Sequence, residues 1–199
     1  MSVKRRLTAK FGEAMQFASN AHTGQVRKGS GAPYISHPIA VASLVLDYGG
    51  NEVQAIGALL HDVIEDCGVT ARALEKKFGK KAARIVLECS DYIGPKGARK
   101  PAWRARKETY INELAKAGAE TLLVSAADKL HNARAIVHDA KHHGKSVWKR
   151  FNASPPEILW YYQSLVQAYR KRKHAQLDVI LHELELAVTE LARAVKRTG

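Results

Sequence analysis

The stretch GALLHDVIEDCG, residues 57–68, sets His61, Asp62, Glu65 and Asp66 into an otherwise apolar run. Ionised carboxylates in an apolar helix are costly unless paired or bound to a cation. No lysine or arginine lies between Asn51 and Ala71 to neutralise these three. On a helix running through 51–66, positions four apart share a face, so His61 is expected above Glu65 and Asp62 above Asp66. Adjacent positions lie about 100° apart around the axis. His61 and Asp62 can then converge on one divalent ion while Glu65 and Asp66 line its rim.

Outward from this stretch nearly every segment carries helical period. Leu7, Phe11, Ala14/Met15, Ala18 and Ala21 mark a first helix, and HPIAVASLVLDYGG a second, closed by Gly49-Gly50. Asn51 is an expected N-cap for the helix holding the acidic cluster, and Thr70 for ARALEKKF, which Gly79 ends. KAARIVLECSDY, RARKETYINELAKAG and AETLLVSAADKLHNARAIVHDA read as further helices, with IGPKGARKPAW (93–103) a basic Gly/Pro loop. Ser154, two prolines and Glu157 form a capping box ahead of ILWYYQSLVQAYRKR. A last helix carries the stripe Leu177, Ile180/Leu181, Leu184, Val188, Leu191 and Val195. No strand or repeat is legible. The expectation is one all-α domain over 1–199, a bundle of roughly eight to ten helices.

At 199 residues and 46% hydrophobic composition the chain can bury a core. No run of eighteen apolar residues and no signal-type block is visible. Cys67 and Cys89 form no framework spacing. A cytoplasmic protein is expected. Thirty-two Lys+Arg against 19 Asp+Glu give a net charge of +13, which suits a polyanionic partner: nucleic acid, a membrane surface or a phosphate-rich small molecule.

Two other segments bring candidate ligands. PYISHPIAVASLV puts His37 at the start of an apolar helix, and LLVSAADKLHNARAIV puts Asp128 inside another, with Asn132 one turn on. Alone, His37 reads more often as a helix-start residue, and Asp128 as a partner of Lys129 or Arg134. Together, two imidazoles and two carboxylates suit Mn²⁺, with Fe or Zn²⁺ also compatible.

A histidine, a later His-Asp pair and a distant Asp in an apolar helix resemble the HD-domain phosphohydrolases. RKGSGAPYISHPIAVA, LLHDVIED and AADKLHNAR are similar, more narrowly, to the hydrolase domain of RelA/SpoT enzymes and to the stand-alone small alarmone hydrolases. A chain of this length would leave no room for a synthetase domain. The resemblance implies metal ligands at His37, His61, Asp62 and Asp128, with Mn²⁺ the usual ion, and a Glu65–Asp66 pair that holds or activates the attacking water. It implies removal of the 3′-pyrophosphate from the nucleotide alarmone (p)ppGpp or its adenosine analogue (p)ppApp. Arg27 is then expected on the purine base, with Lys28 on a phosphate and Asn132 on the nucleotide. Arg104, Arg106 and Lys107 are expected near the 5′-phosphates, and Tyr161 close to the nucleotide.

Three departures bear on the base. RKGSGAPY is one residue longer than the family's spacing, Ala135 replaces a common small hydroxyl residue, and Glu157 stands where a basic phosphate contact is expected. Rival readings are an HD phosphohydrolase acting on NADPH or a nucleoside phosphate, and a basic helical module that holds nucleic acid. No helix-turn-helix or zinc spacing supports the latter.

Overall fold

Four helix starts are written in side chains that accept a backbone N–H. In the computed structural model, which describes residues 6–94, 99–172 and 174–198, Thr8 caps α1 (Ala9–Ala21) through Lys10 N–H. Asn51 and Gln54 exchange hydrogen bonds in a capping box at the head of α3 (Glu52–Leu60). Thr70 caps α5 (Ala71–Phe78), and Gly79, at φ +92°, separates it from α6 (Lys80–Cys89). At α9 (Pro155–Arg170) the Glu157 carboxylate accepts from both the N–H and the hydroxyl of Ser154. The remaining helices are α2 (Ser36–Asp47), α4 (Val63–Cys67), α7 (Trp103–Leu114), α8 (Ala119–His143) and α10 (Ala175–Thr198). A 3₁₀ segment, Gly144–Arg150, joins α8 to α9. Among the described residues there is no strand beyond an isolated bridge, Val26 to Pro33, and the architecture is all-α.

The long helix α8 is the axis of packing, with α2, α3, α6, α9 and α10 laid against it. Its residues 121–128 are buried without a break, and Leu130, Ala133, Ile136, Val137 and Ala140 continue the buried face. Burying side chains such as Leu122, Leu123 and Leu130 stabilises the fold by roughly 1.5–3 kcal/mol each. The expected stripe of α10 is buried from Leu177 to Leu191, while Val195 packs partly buried at its edge. Gly57 lets α3 approach α6, because a Cβ there would lie 2.6 Å from Ile85 Cγ2.

Several expected boundaries move. The helix expected over 51–66 is broken: α3 stops at Leu60 and α4 begins at Val63. His61 Nδ1 hydrogen-bonds the Ala58 carbonyl at 2.7 Å, competing for an acceptor that a continuing helix would use, and Asp62 relaxes to φ −100°, ψ −6°. Leu7 precedes the Thr8 cap and is 45% exposed, so it lies outside the α1 stripe. The helix read through Tyr92 ends at Cys89, where Ser90 turns extended and its hydroxyl bonds Val86 O. Residues 95–98 of the basic loop, like 1–5 of the N-terminal segment, lie outside the described residues.

Candidate metal centre and nucleotide cavity

Four helices each deliver one donor to a common point. His37 lies in the first turn of α2, His61 closes α3, Asp62 opens α4, and Asp128 sits in the middle of α8. Donor atoms of His37, His61 and Asp128 all lie within 4.8 Å of one another. The two Nε2 atoms are 3.2 Å apart, and Asp128 Oδ1 is 3.1 Å from that of His37 and 3.6 Å from that of His61. Asp62 stands beside this group of three, its Oδ2 2.9 Å from His61 Nε2 and 3.7 Å from His37 Nε2. Ligands with bonds of about 2.1 Å stand roughly 3.0–3.4 Å apart around an octahedral or tetrahedral ion. The spacing and the N₂O₂ chemistry therefore fit a divalent metal.

A second layer orients these donors, as metal sites require. His61 Nδ1 meets Ala58 O, and His37 Nδ1 meets His131 Nδ1 at 2.8 Å. With Nδ1–H donating from each ligand imidazole, both Nε2 lone pairs face the site. Asp128 accepts from Lys129 Nζ and from Asn132 Nδ2, each at 2.6 Å, and Asp62 accepts from the Tyr34 hydroxyl at 2.6 Å.

The electrostatics match. Burial holds His37 below the ordinary histidine range. Burial opposes charge on His61 too, but the Asp62 and Asp128 carboxylates outweigh it and favour its protonated form. Burial would raise both aspartates; His61 instead holds Asp62 down, and Lys129 holds Asp128 down. A cation entering this cluster takes over the role of the His61 proton.

Glu65 and Asp66, on α4, line the cavity beyond these donors. Glu65 bonds Lys100 Nζ at 2.8 Å. Desolvation against the cavity wall, then the Asp62 and Glu65 charges, push Asp66 up to about 6.

The cavity above has a volume of about 640 Å³. On one side Arg27 donates to Asn132 Oδ1 at 3.1 Å, with its guanidinium 5.9 Å from the centre of the Tyr34 ring, and Lys28 and Ala135 complete the wall. On the other side stand Arg106, Lys107, Trp103 and Tyr161. Arg106 and Lys107 both bond Asp91, Arg106 at 2.6 Å. The Tyr161 hydroxyl is buried without a hydrogen-bond partner, and Lys107 Nζ lies 4.9 Å from its ring centre. Arg104 is not brought to this wall: it bonds Glu108 and stacks on Trp160, 3.1 Å from the ring centre. Glu157 is taken up by Ser154.

The sequence pointed to Lys129 only as a partner of Asp128, which it is at 2.6 Å, and passed over Tyr34, His131, Asp91, Lys100 and Arg150. Tyr34, Lys129 and His131 sit inside the motif segments PYISHP and AADKLHNAR, so adjacency to a ligand was the available signal. Asp91, Lys100 and Arg150 gave none, because their partners are distant in the chain.

The HD-domain family profile matches residues 14–158, from α1 through the cavity to the start of α9. The chain belongs to the HD-domain family. Among its HD-domain relatives, the guanosine-3′,5′-bis(diphosphate) 3′-pyrophosphohydrolase of Haemophilus influenzae is 36% identical over 125 residues, 60% of this chain and 17% of that protein. The protein of the same description called MESH1, from Danio rerio, is 37% identical over 130 residues, 64% of this chain and 69% of its own length. The chain thus spans less than a fifth of the long bacterial relatives but most of the fish protein. A solved structure described as a metazoan ortholog of SpoT that hydrolyzes ppGpp superposes with a TM-score of 0.71 at 27% identity, covering 94% of this chain and 96% of that one. The structure of lmo0812 from Listeria monocytogenes superposes at 0.67 and 26% identity, over 81% and 99%.

Proposed function

We propose that this HD-domain chain acts, as one domain, as a metal-dependent hydrolase that removes the 3′-pyrophosphate from a nucleotide alarmone, (p)ppGpp or (p)ppApp, with Mn²⁺ as its ion. One observation carries the reading: the cluster of His37, His61, Asp62 and Asp128 lies directly behind a cavity wall, where Tyr34 bonds Asp62 and Asn132 bonds Asp128, and the same cavity is lined by Arg27, Lys28, Arg106 and Lys107. Relatives described as 3′-pyrophosphohydrolases of guanosine-3′,5′-bis(diphosphate) support the substrate class.

A divalent ion held there supplies Lewis-acid stabilisation of the phosphoryl oxygens and acidifies water. Glu65 and Asp66 orient the attacking water and take its proton. Water attacks the phosphorus bonded to ribose O3′, that P–O bond breaks, and O3′ leaves as the hydroxyl with pyrophosphate as the second product. Arg27 lays its guanidinium plane on the purine. Asn132 sets the angle of that plane and steadies Asp128. Lys28, Arg106 and Lys107 neutralise the phosphates, the last two once Asp91 shares them with substrate. Tyr161 offers its unpartnered hydroxyl.

The test is product analysis with Mn²⁺ over guanosine and adenosine 3′-pyrophosphates, NADPH and nucleoside triphosphates. Pyrophosphate with a 3′-hydroxyl nucleotide is expected from the first two. Orthophosphate from NADPH alone would overturn the reading.

A further inference from the structure

The turn that carries Arg27 is fastened to the body of the protein from below. Within the turn, Arg27 N–H bonds Ala32 O, Gly31 N–H bonds Arg27 O and Tyr34 N–H bonds Gln25 O. These bonds shape the loop but do not fix its position over the cavity. Arg150, the last residue of the 3₁₀ segment, does so. Its Nη1 donates to Lys28 O at 3.0 Å and to Asp139 Oδ2 at 2.8 Å, using both hydrogens of one nitrogen. The turn is thereby joined, at a single guanidinium, to the end of α8 and the 3₁₀ segment that follows it, more than a hundred positions away.

We propose that Arg150 and Asp139 form a latch that positions the Arg27 turn at the base end of the cavity. This rests on the nucleotide reading of that cavity. Gly29 supplies an independent observation. It sits at φ +105°, and a Cβ there would lie 1.6 Å from Arg150 Nη1 and 2.3 Å from Cζ. The guanidinium is therefore laid flat against the glycine, and any side chain would push it away. GSGA, the lengthened part of the turn, supplies the close approach that the latch needs.

The root of the latch is firm. Trp148, two residues earlier, is buried and donates through Nε1 to the carbonyl and hydroxyl oxygens of Thr198 at the end of α10. Val147 beside it is also buried. A chain of contacts thus runs from the last turn of α10 through the 3₁₀ segment to the backbone beside Arg27.

Arg150 and Asp139 also line the outer part of the cavity, but the role argued for Arg150 is to position the turn rather than to touch the reacting atoms. Asp139 lies eleven residues beyond Asp128 on the same helix, roughly 16 Å along its axis. A contact so far from the phosphorus serves ground state and transition state alike, so its loss raises KM and spares kcat.

The experiment uses the full chain with Arg150→Gln, Arg150→Lys and Gly29→Ala, and two readouts. Hydrogen exchange of the Arg27, Gly31 and Tyr34 amides is expected to quicken in Arg150→Gln and Gly29→Ala, with α2 and α8 unchanged. In the same variants KM for the guanosine and adenosine 3′-pyrophosphates is expected to rise about tenfold with kcat held within about twofold, Arg150→Lys falling between them and wild type. Unchanged exchange in the turn, or a fall in kcat at constant KM, would overturn the latch. If wild type cleaves none of the nucleotides, the nucleotide reading fails, and the exchange result alone decides whether the latch exists. If Arg150→Gln does not fold, Arg150→Lys against wild type carries the same test, since Gly29→Ala also strains a backbone at φ +105°.

Discussion

Arg27 and Asn132 are 105 positions apart in sequence and meet at 3.1 Å across the cavity. Through its amide nitrogen, Asn132 also holds Asp128 Oδ1 at 2.6 Å. One side chain therefore touches both the arginine proposed to meet the base and a carboxylate of the candidate metal centre. Asn132→Ala is expected to weaken Mn²⁺ binding by about 10–100-fold, the usual effect of removing an outer-layer partner, and to raise KM in addition. Calorimetric titration with Mn²⁺ checks the first part. Unaltered metal affinity would leave Asn132 serving the nucleotide alone.

Asp62→Ala and Asp128→Ala are both expected to abolish turnover, yet to differ in stability. Asp128 is buried and paired with Lys129, so truncating it strands a cation at a cost of about 3–5 kcal/mol. Asp62 is partly exposed and its loss strands no lysine. Thermal melts of the metal-free proteins should place Asp128→Ala well below Asp62→Ala, and adding Lys129→Met to Asp128→Ala should recover much of the gap.

Glu65→Gln with Asp66→Asn is expected to leave metal affinity largely intact and to lower kcat by about 10²–10⁴. Mn²⁺ titration alongside steady-state rates separates the two effects. A collapse of metal affinity would make these residues ligands.

In the metal-free protein the Asp66 carboxyl is expected to titrate at about 6 against an ordinary 3.8. The folded state then binds more protons than the unfolded one between those values. Its contribution to stability is fully present below 3.8 and is lost as pH rises through about 6. Carbon-13 NMR of the carboxyl reads this directly. Asp62→Asn should lower the value by removing a like charge, and Lys100→Met should raise it by removing an opposite one. Shifts of the reverse sign would refute the stated causes.

Arg27→Ala is expected to weaken guanosine and adenosine substrates by a similar factor, because a guanidinium plane meets either purine face alike. Ala135 lines the cavity with no polar group to read an edge. A wild-type preference for guanosine of about 10⁴ would require a buried hydrogen-bond reader.

Local chemistry was legible and distant pairing was not. Asn51, Thr70 and the Ser154–Glu157 box announce helix starts, since caps act over three residues. The four candidate ligands stood out in the sequence because each is an ionisable group on an apolar background. The break at His61 was hidden: it arises from a ring taking its own helix's carbonyl, which periodicity cannot register. Arg106 and Lys107 read as free phosphate binders because Asp91, fifteen and sixteen positions earlier, looked like part of a helix that in fact ends before it. Arg104 shares their sequence signature but falls on another face of α7, against Trp160.

The acid-rich inner end of the cavity has a consequence for the order of loading. There Glu65 and Asp66 line the wall, with Asp62 and Asp128 behind Tyr34 and Asn132, against Lys100 and Lys129 as lysine partners. Under the proposed function a nucleotide carrying several phosphates meets repulsion at this end until a cation is bound. The cation is then expected to settle first, making nucleotide affinity a function of free metal concentration. Chelation would then act as competition against substrate rather than as a loss of turnover alone.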